Sequence, residues 1–382
     1  MTVLWWTLAA AQFLALGVLL ARLAPGRTRR PPVLPVAGSG GAATVSILVA
    51  TLNEAGRIGP CLEGLARQGA LVREILIIDS NSSDGTREQV TAASRIDPRI
   101  RLLTDPPLPA DWVGKVWALQ HGLSHAAGDW VLGLDADITP HAGLSDGVVA
   151  AAQALGYDVC SFSPRFAIAS AAEQWVQPAL LVTLVYRCGA VGAEAPPPAR
   201  VLANGQCFLA KRAVLEAHGG YALAATSLAD DVTLARALAR RGVRVGFLDG
   251  SALYAVRSYT SMREAWREWG RSLDLKDATT LARQWADVVM LALAQALPIP
   301  ALAALAFPEV RATIGAPASW ALLGVNALLL AVRLSLLAAL RGSYERPAWT
   351  FWLSPLADPA AVARILISTL RRRRVWRGRT YR

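Results

Sequence analysis

Trp130-Val131-Leu132-Gly133-Leu134-Asp135-Ala136-Asp137 is the stretch that decides the fold. Its short apolar run has the length of a strand covered on both faces, and two carboxylates one residue apart follow directly. Parallel sheets bind ligands beyond the carboxyl ends of their strands. Two carboxylates held so close are costly without a cation, and a hard divalent metal bridging them to a diphosphate removes that cost. On its own the Asp-x-Asp pattern carries little, so its surroundings have to be read with it.

Upstream, Val45 to Ala50, Glu74 to Ile78 and Ile100 to Leu103 are further short β-branched or apolar runs. Gly59 to Gln68, Thr86 to Ser94 and Lys115 to Ala126 separate them with helical patterning. The alternation predicts βαβ units and a mainly parallel sheet. Downstream, Val159 to Ser163, Cys207 to Ala210 and Val243 to Leu248 read as strands, and Trp175 to Tyr186 as an amphipathic surface helix. The first half suits a donor and the second an acceptor.

Polar residues follow the predicted strands. The first runs into Thr51-Leu52-Asn53-Glu54, the second into Asp79 and then Ser80-Asn81-Ser82-Ser83-Asp84-Gly85-Thr86. Asp79 is placed to accept hydrogen bonds from a nucleobase or ribose, while Asp84-Gly85-Thr86 serves equally as a turn and helix cap. Asp230 and Asp231 open a helix rich in Ala, Leu and Arg. One of them can act as a general base toward an acceptor hydroxyl, although helix capping alone also explains the pair.

The ends of the 382-residue chain are different in kind. Val3 to Leu23 is long enough to cross a bilayer, and Arg22, Arg27, Arg29 and Arg30 at its end predict an N-out, C-in anchor. Val288 to Phe307 and Ser319 to Leu340 read as a membrane hairpin, with Arg333 snorkelling from the second helix. Asp358 and Pro359 look like an N-cap and first helical position. Val362, Ile365, Leu366 and Leu370 then form one apolar face before Arg371 to Arg374, which predicts an interfacial helix on anionic lipid. The expected organisation is an anchor over 1–23, a linker over 24–43, a catalytic domain over 44–286, a hairpin over 287–341 and a basic tail over 342–382.

The net charge of +11 lies largely beside these apolar runs, so membrane orientation accounts for it and nucleic acid is not an expected partner. Cys61, Cys160, Cys188 and Cys207 have no metal-site or disulfide spacing and read as reduced, buried thiols. His121 and His125 share a helix face without a partner carboxylate motif, and packing or surface exposure is the simpler reading.

In their order along the chain these pieces resemble the family-2 glycosyltransferases of GT-A fold. The resemblance covers about residues 44 to 286 and rests on Thr51-Leu52-Asn53-Glu54, Asp79 with Ser83-Asp84-Gly85-Thr86, Gly114-Lys115, Asp135-Ala136-Asp137, Asn204-Gly205-Gln206, Gly219-Gly220-Tyr221 and Asp230-Asp231. It implies an α/β, Rossmann-like mixed sheet, here with one N-terminal and two C-terminal transmembrane helices. It further implies donor contacts from Thr51, Asn53, Glu54, Asp79, Lys115 and Asp135, Mg²⁺ or Mn²⁺ on Asp135 and Asp137, and Asp231 as base in an inverting displacement.

Position 80 departs from the family pattern, with Ser80 where a second Asp is usual, and Asp230 replaces the usual Glu of the acidic pair. The Gln-x-x-Arg-Trp motif of processive synthases is replaced by Trp266-Arg267-Glu268-Trp269-Gly270-Arg271. There Arg267 and Arg271 are candidates for the diphosphate, and Trp266 and Trp269, with Asp230, for the acceptor; a membrane-facing role competes.

Pro109 to Lys115 looks like bacterial enzymes that glycosylate carotenoids or are associated with hopanoids, and Leu353 to Pro359 with Trp376 to Arg379 looks closest to the carotenoid enzymes. The expectation is transfer of a hexose, glucose from UDP-glucose, to a membrane isoprenoid, with the catalytic domain on the cytoplasmic face of the cell inner membrane. Hopanoid, another lipid and polyprenyl phosphate are the alternative acceptors, and a non-catalytic membrane scaffold is the alternative from another class.

Overall fold

The computed structural model describes residues 2–38, 43–168, 170–194, 196–257, 259, 262–371, 375–376 and 379–380. They form two compact units. One comprises Met1–Thr28, Ile168–Ala190 and Ser258–Arg373, the other Arg29–Ala167, Val191–Arg257 and Arg374–Arg382. The expected 44–286 stretch is thereby divided, because Ile168–Ala190 and the segment after Ser258 group with the terminal helices.

The two larger sheets of the second unit comprise β1 (Val45–Thr51), β2 (Val72–Asp79), β3 (Ile100–Thr104), β4 (Trp130–Asp135), β5 (Ile138–Pro140), β6 (Val159–Ser163), β7 (Arg165–Phe166), β8 (Cys207–Lys211), β9 (Val245–Asp249) and β10 (Tyr254–Val256), and Val375–Trp376 pairs with Arg379–Thr380 in a separate short ribbon. The main sheet has the order β3-β2-β1-β4-β8-β6-β9. β3, β2, β1 and β4 run parallel, and β8 is antiparallel to both β4 and β6. The sheet is therefore mixed, as the family resemblance implies. β5, β10 and β7 make a small side sheet that periodicity did not predict, since strands of two or three residues carry no readable alternation.

Apolar residues fill both faces of the central strands, so alternation is lost and the strands read as continuous hydrophobic runs. Ile47, Val49, Ile75 and Ile77 belong to the core on one face, Leu48, Leu76 and Ile78 to that on the other. The helix Gly114–His125 lies close to the second face at Gly122, where a Cβ would stand 2.8 Å from Ile78 Cδ1. This proximity fixes Lys115, in the first turn of that helix, near the end of β4.

The first unit is helical. Thr2–Leu23 and Ala316–Leu340 are long and apolar enough to cross a membrane, and Leu281–Ala296 with Pro298–Leu305 forms a third candidate bent by 42°. A π turn over Ala292–Ala296 and the prolines at 298 and 300 account for the bend. Gln12 and Asn326 are fully buried and exchange side-chain hydrogen bonds of 2.8 and 3.0 Å, which ties the first helix to the last long one.

Three expectations are corrected in this unit. The helix Ala171–Cys188 is not a surface helix, because Val176, Ala179, Leu180, Val182 and Tyr186 are all buried in the helical core. Arg333 does not snorkel: it is 2% exposed, and its guanidinium donates to both oxygens of Asp358 at 2.8 and 3.0 Å and to Ser354 Oγ. Asp358 in turn is the first residue of the helix Asp358–Leu370 rather than its N-cap, since its carboxylate is taken by Arg333. On that helix Val362 and Ile365 are buried in the core, while Leu366 and Leu370 stay exposed. Of the basic cluster, Arg372 to Arg374 lie outside the described residues.

Candidate active site

The site lies at the carboxyl ends of β1, β2 and β4. Asp135 is the last residue of β4, and Asp137 sits in the tight turn before β5. Lys115 Nζ lies 2.5 Å from Asp135 Oδ1. Burial works against the ammonium charge, yet Asp135, Asp230 and Asp231 together hold its pKa above the ordinary lysine value. A fixed positive charge thus bridges the strand-end carboxylates to the acidic pair of the helix Asp230–Arg240.

Asp231 opens that helix as a backbone acceptor. Its Oδ2 accepts from the Gly205 N–H and its Oδ1 from the Val232 N–H, both at 2.7 Å. Gly205 permits this approach: a Cβ there would stand 3.1 Å from Lys115 Nζ and 3.4 Å from Asp231 Cβ. Burial and the neighbouring Asp230 raise the Asp231 pKa to about 6, against the opposing pull of Lys115 and the two N–H donors. Lys115, Asp230 and Asp231 line one small cavity of about 20 Å³ with Phe208, Leu234 and Tyr221.

Asp79, the residue expected at the nucleoside, is fully buried. Its Oδ1 accepts from Thr51 Oγ1 and Ser82 Oγ, its Oδ2 from the Ser82 N–H and Arg87 Nη1. These bonds fill the four acceptor positions of the carboxylate, so the nucleoside contact expected of Asp79 requires one of them to be exchanged. Asn53 adopts φ 55° and its Oδ1 accepts from the Ser83 N–H, while the Glu54 N–H donates to Thr86 Oγ1. Asp84 accepts from the backbone of Ala55 and Thr86 and from the Thr86 hydroxyl, which holds its pKa below the usual carboxylate range. Thr51, Asn53, Glu54 and Asp79 are thereby joined to the 80–86 loop in one network.

Sequence reading missed Asp105. It follows β3, is 7% exposed, and accepts from Ser80 Oγ at 2.8 Å, so a carboxylate stands beside the position where Ser80 departs from the family pattern. Only the parallel pairing of β2 with β3 brings the two together.

The helix Met262–Ser272 belongs to the other unit. Trp269 is 7% exposed within the helical core, where its ring is covered and offers no stacking face. Trp266 packs partly on that core with the Arg364 guanidinium 5.8 Å from its ring, and Arg267 is exposed and paired with Glu268 at 3.0 Å. The side chain of Arg271 lies outside the described residues. Cys61, Cys160, Cys188 and Cys207 are buried free thiols, and the His121 and His125 rings pack edge to face with centroids 4.5 Å apart. Among the described residues, no three His, Cys, Asp or Glu side chains gather as a metal cage.

Comparison with known proteins bears on the fold and on the family that the sheet unit resembles. Residues 46–218 match the family model of Glycosyl transferase family 2, whose end falls short of Asp230 and Asp231. The chain is 32% identical over 93 residues to a lipopolysaccharide core biosynthesis glycosyltransferase, LpsC, of Rhizobium meliloti, and 33% identical over 101 residues to a glucosyl-3-phosphoglycerate synthase of Mycolicibacterium paratuberculosis. These matches cover 24% and 26% of this chain, and 31% and 30% of the relatives, so the chain spans about a third of the length of each. Among solved structures, a mannosyltransferase from Pyrobaculum calidifontis, determined with GDP-mannose and Mn²⁺, superposes with a TM-score of 0.58 at 22% identity, covering 97% of this chain and 98% of that one. That likeness shows a shared fold. Residues 46–218 thus resemble a Glycosyl transferase family 2 domain, on a fold that the chain shares with that mannosyltransferase.

Proposed function

We propose that this protein is a membrane-bound inverting glycosyltransferase that moves glucose from UDP-glucose to a hydroxyl of a membrane isoprenoid such as a carotenoid. The observation that carries the reading is the convergence of Lys115, Asp135 and Asp231 at the end of β4, a cation between strand-end carboxylates and a carboxylate of raised pKa.

Asp135 and Asp137 would hold Mg²⁺ or Mn²⁺. Their hard oxygen donors suit such an ion, and the Lys115 ammonium beside Asp135 supports a site that attracts positive charge. When bound, the ion neutralises charge on the departing diphosphate. Asp231 takes the proton of the acceptor hydroxyl as its oxygen bonds to the anomeric carbon. The sugar–phosphate bond breaks with its electron pair leaving on the nucleoside diphosphate. Lys115 offers a second positive charge to that leaving group, and the network of Asp79, Thr51 and Asn53 shapes the nucleoside side.

Two or three helices of membrane length support the lipid acceptor, and the arginines after Leu23 support a catalytic domain on the cytoplasmic face of the inner membrane. Incubation of the detergent-purified protein and its Asp137→Ala variant with UDP-glucose, Mg²⁺ and a total lipid extract tests the reading by mass spectrometry. A hexosylated carotenoid made by the unaltered protein alone supports it. A hexose on another lipid would replace the acceptor, and no transfer or nucleotide binding with any common nucleotide sugar would leave a scaffold.

A further inference from the structure

The polar end of the cavity is formed by Lys115, Asp230, Asp231 and Tyr221. Lys115 is bonded to Asp135, and Asp231 to two backbone N–H groups. Tyr221 is different. The residue is 4% exposed, its Oη is buried, and among the described residues that oxygen makes no hydrogen bond.

The ring is held in place by its backbone. Gly219 and Gly220 adopt φ of 89° and 68°, and the Tyr221 N–H donates to Gln120 Oε1 at 2.7 Å. A Cβ on Gly133 would stand 3.5 Å from Tyr221 Oη, so the hydroxyl sits against β4 two residues before Asp135. A phenylalanine would fill the same apolar surroundings without leaving a buried hydroxyl unpaired, and an unpaired hydroxyl lowers stability. Burial, with Asp230 nearby, keeps the phenol pKa above its ordinary value, so Tyr221 remains a proton donor.

Taking the glycosyltransferase reading as its basis, we propose that Tyr221 Oη donates a hydrogen bond to a hydroxyl of the donor hexose and so selects and positions the sugar. The cavity then offers donors, Tyr221 and Lys115, beside acceptors, Asp230 and Asp231. A sugar hydroxyl both donates and accepts, and such an array suits it.

The test is Tyr221→Phe in the full chain, with dissociation constants measured by calorimetry in Mn²⁺ for UDP, UDP-glucose and the 2-, 3-, 4- and 6-deoxy analogues. GDP-mannose and its analogues are used if UDP-glucose does not bind. The expected result is unchanged UDP affinity with UDP-glucose weakened roughly 3- to 12-fold, as for one neutral hydrogen bond. One deoxy analogue should suffer the same loss with the unaltered protein and none with the Phe variant. Equal UDP-glucose affinity in the two proteins, or a deoxy profile that Tyr221→Phe leaves unchanged, would overturn the role of Tyr221 while leaving the glycosyltransferase reading intact. Failure of the unaltered protein to bind either nucleotide sugar would overturn both. Unchanged UDP binding by the variant guards against misfolding.

Discussion

Lys115 Nζ and Asp135 Oδ1 stand 2.5 Å apart, so the lysine occupies an oxygen that a divalent cation on the Asp135–Asp137 pair would also claim. On the proposed reading Lys115 and the metal would compete for Asp135, and a bound diphosphate would take the ammonium. Lys115→Met is expected to tighten Mn²⁺ binding in the absence of nucleotide, on the order of tenfold, and to weaken UDP binding. Titration of Mn²⁺ followed by electron paramagnetic resonance measures the first effect, and unchanged or weaker Mn²⁺ binding would exclude the competition.

A base must be ionised to accept a proton. With the Asp231 pKa raised to about 6, kcat/KM should fall as pH drops below that value, approaching a tenfold loss per pH unit, and level off above it. Asp231→Asn should lower turnover by roughly 10²- to 10⁴-fold while donor binding persists. A flat pH profile in the unaltered enzyme between pH 5 and 7, in about the range set by that pKa, would remove Asp231 from the role.

Gly122 is a packing site rather than a chemical one. Gly122→Ala places a methyl 2.8 Å from Ile78 Cδ1 and 3.3 Å from Leu48 Cδ2, so that either the fully buried Ile78 side chain or the helix that carries Lys115 must shift. The expected cost is about 1–3 kcal/mol, read as a lower unfolding midpoint, with weaker nucleotide binding if it is the helix, and Lys115 with it, that moves.

The buried Arg333–Asp358 pair offers a separate test within the helical unit. Removing one partner, as in Asp358→Leu, leaves a buried guanidinium uncompensated and should destabilise by about 3–5 kcal/mol. Arg333→Met together with Asp358→Leu should recover much of that loss. Thermal unfolding in detergent of the two single variants and the double variant decides the matter, and additive losses would deny the coupling.

The main strands were legible because each is a short apolar run closed by polar residues, as in Trp130 to Asp135, and their observed bounds differ from the reading by only a few residues. What covers a helix was not legible. Trp269 and the helix Ala171–Cys188 have the amphipathic pattern of surface elements, but patterning records only that a face is apolar, not how many neighbours enclose it. The acidic residues of the site were visible from their place after strands. Tyr221 and Asp105 were not, because a buried tyrosine usually reads as core, and Asp105 meets Ser80 only through the pairing of β2 with β3. Arg333 gave a partial signal: a charge in an apolar helix calls for a counter-charge, but hydropathy does not say which.

Gln12 and Asn326 lie 314 residues apart in the chain, and the helical unit they join is interrupted twice by segments of the sheet unit. During synthesis the first helix emerges long before the partner of its amide exists. If that helix enters the bilayer at once, Gln12 must wait there unsatisfied or borrow a partner while the sheet unit up to Arg257 is made. The helical unit is thus begun first yet closed only after nearly all of the sheet unit exists, and a chain stopped before Asn326 lacks the amide that closes it.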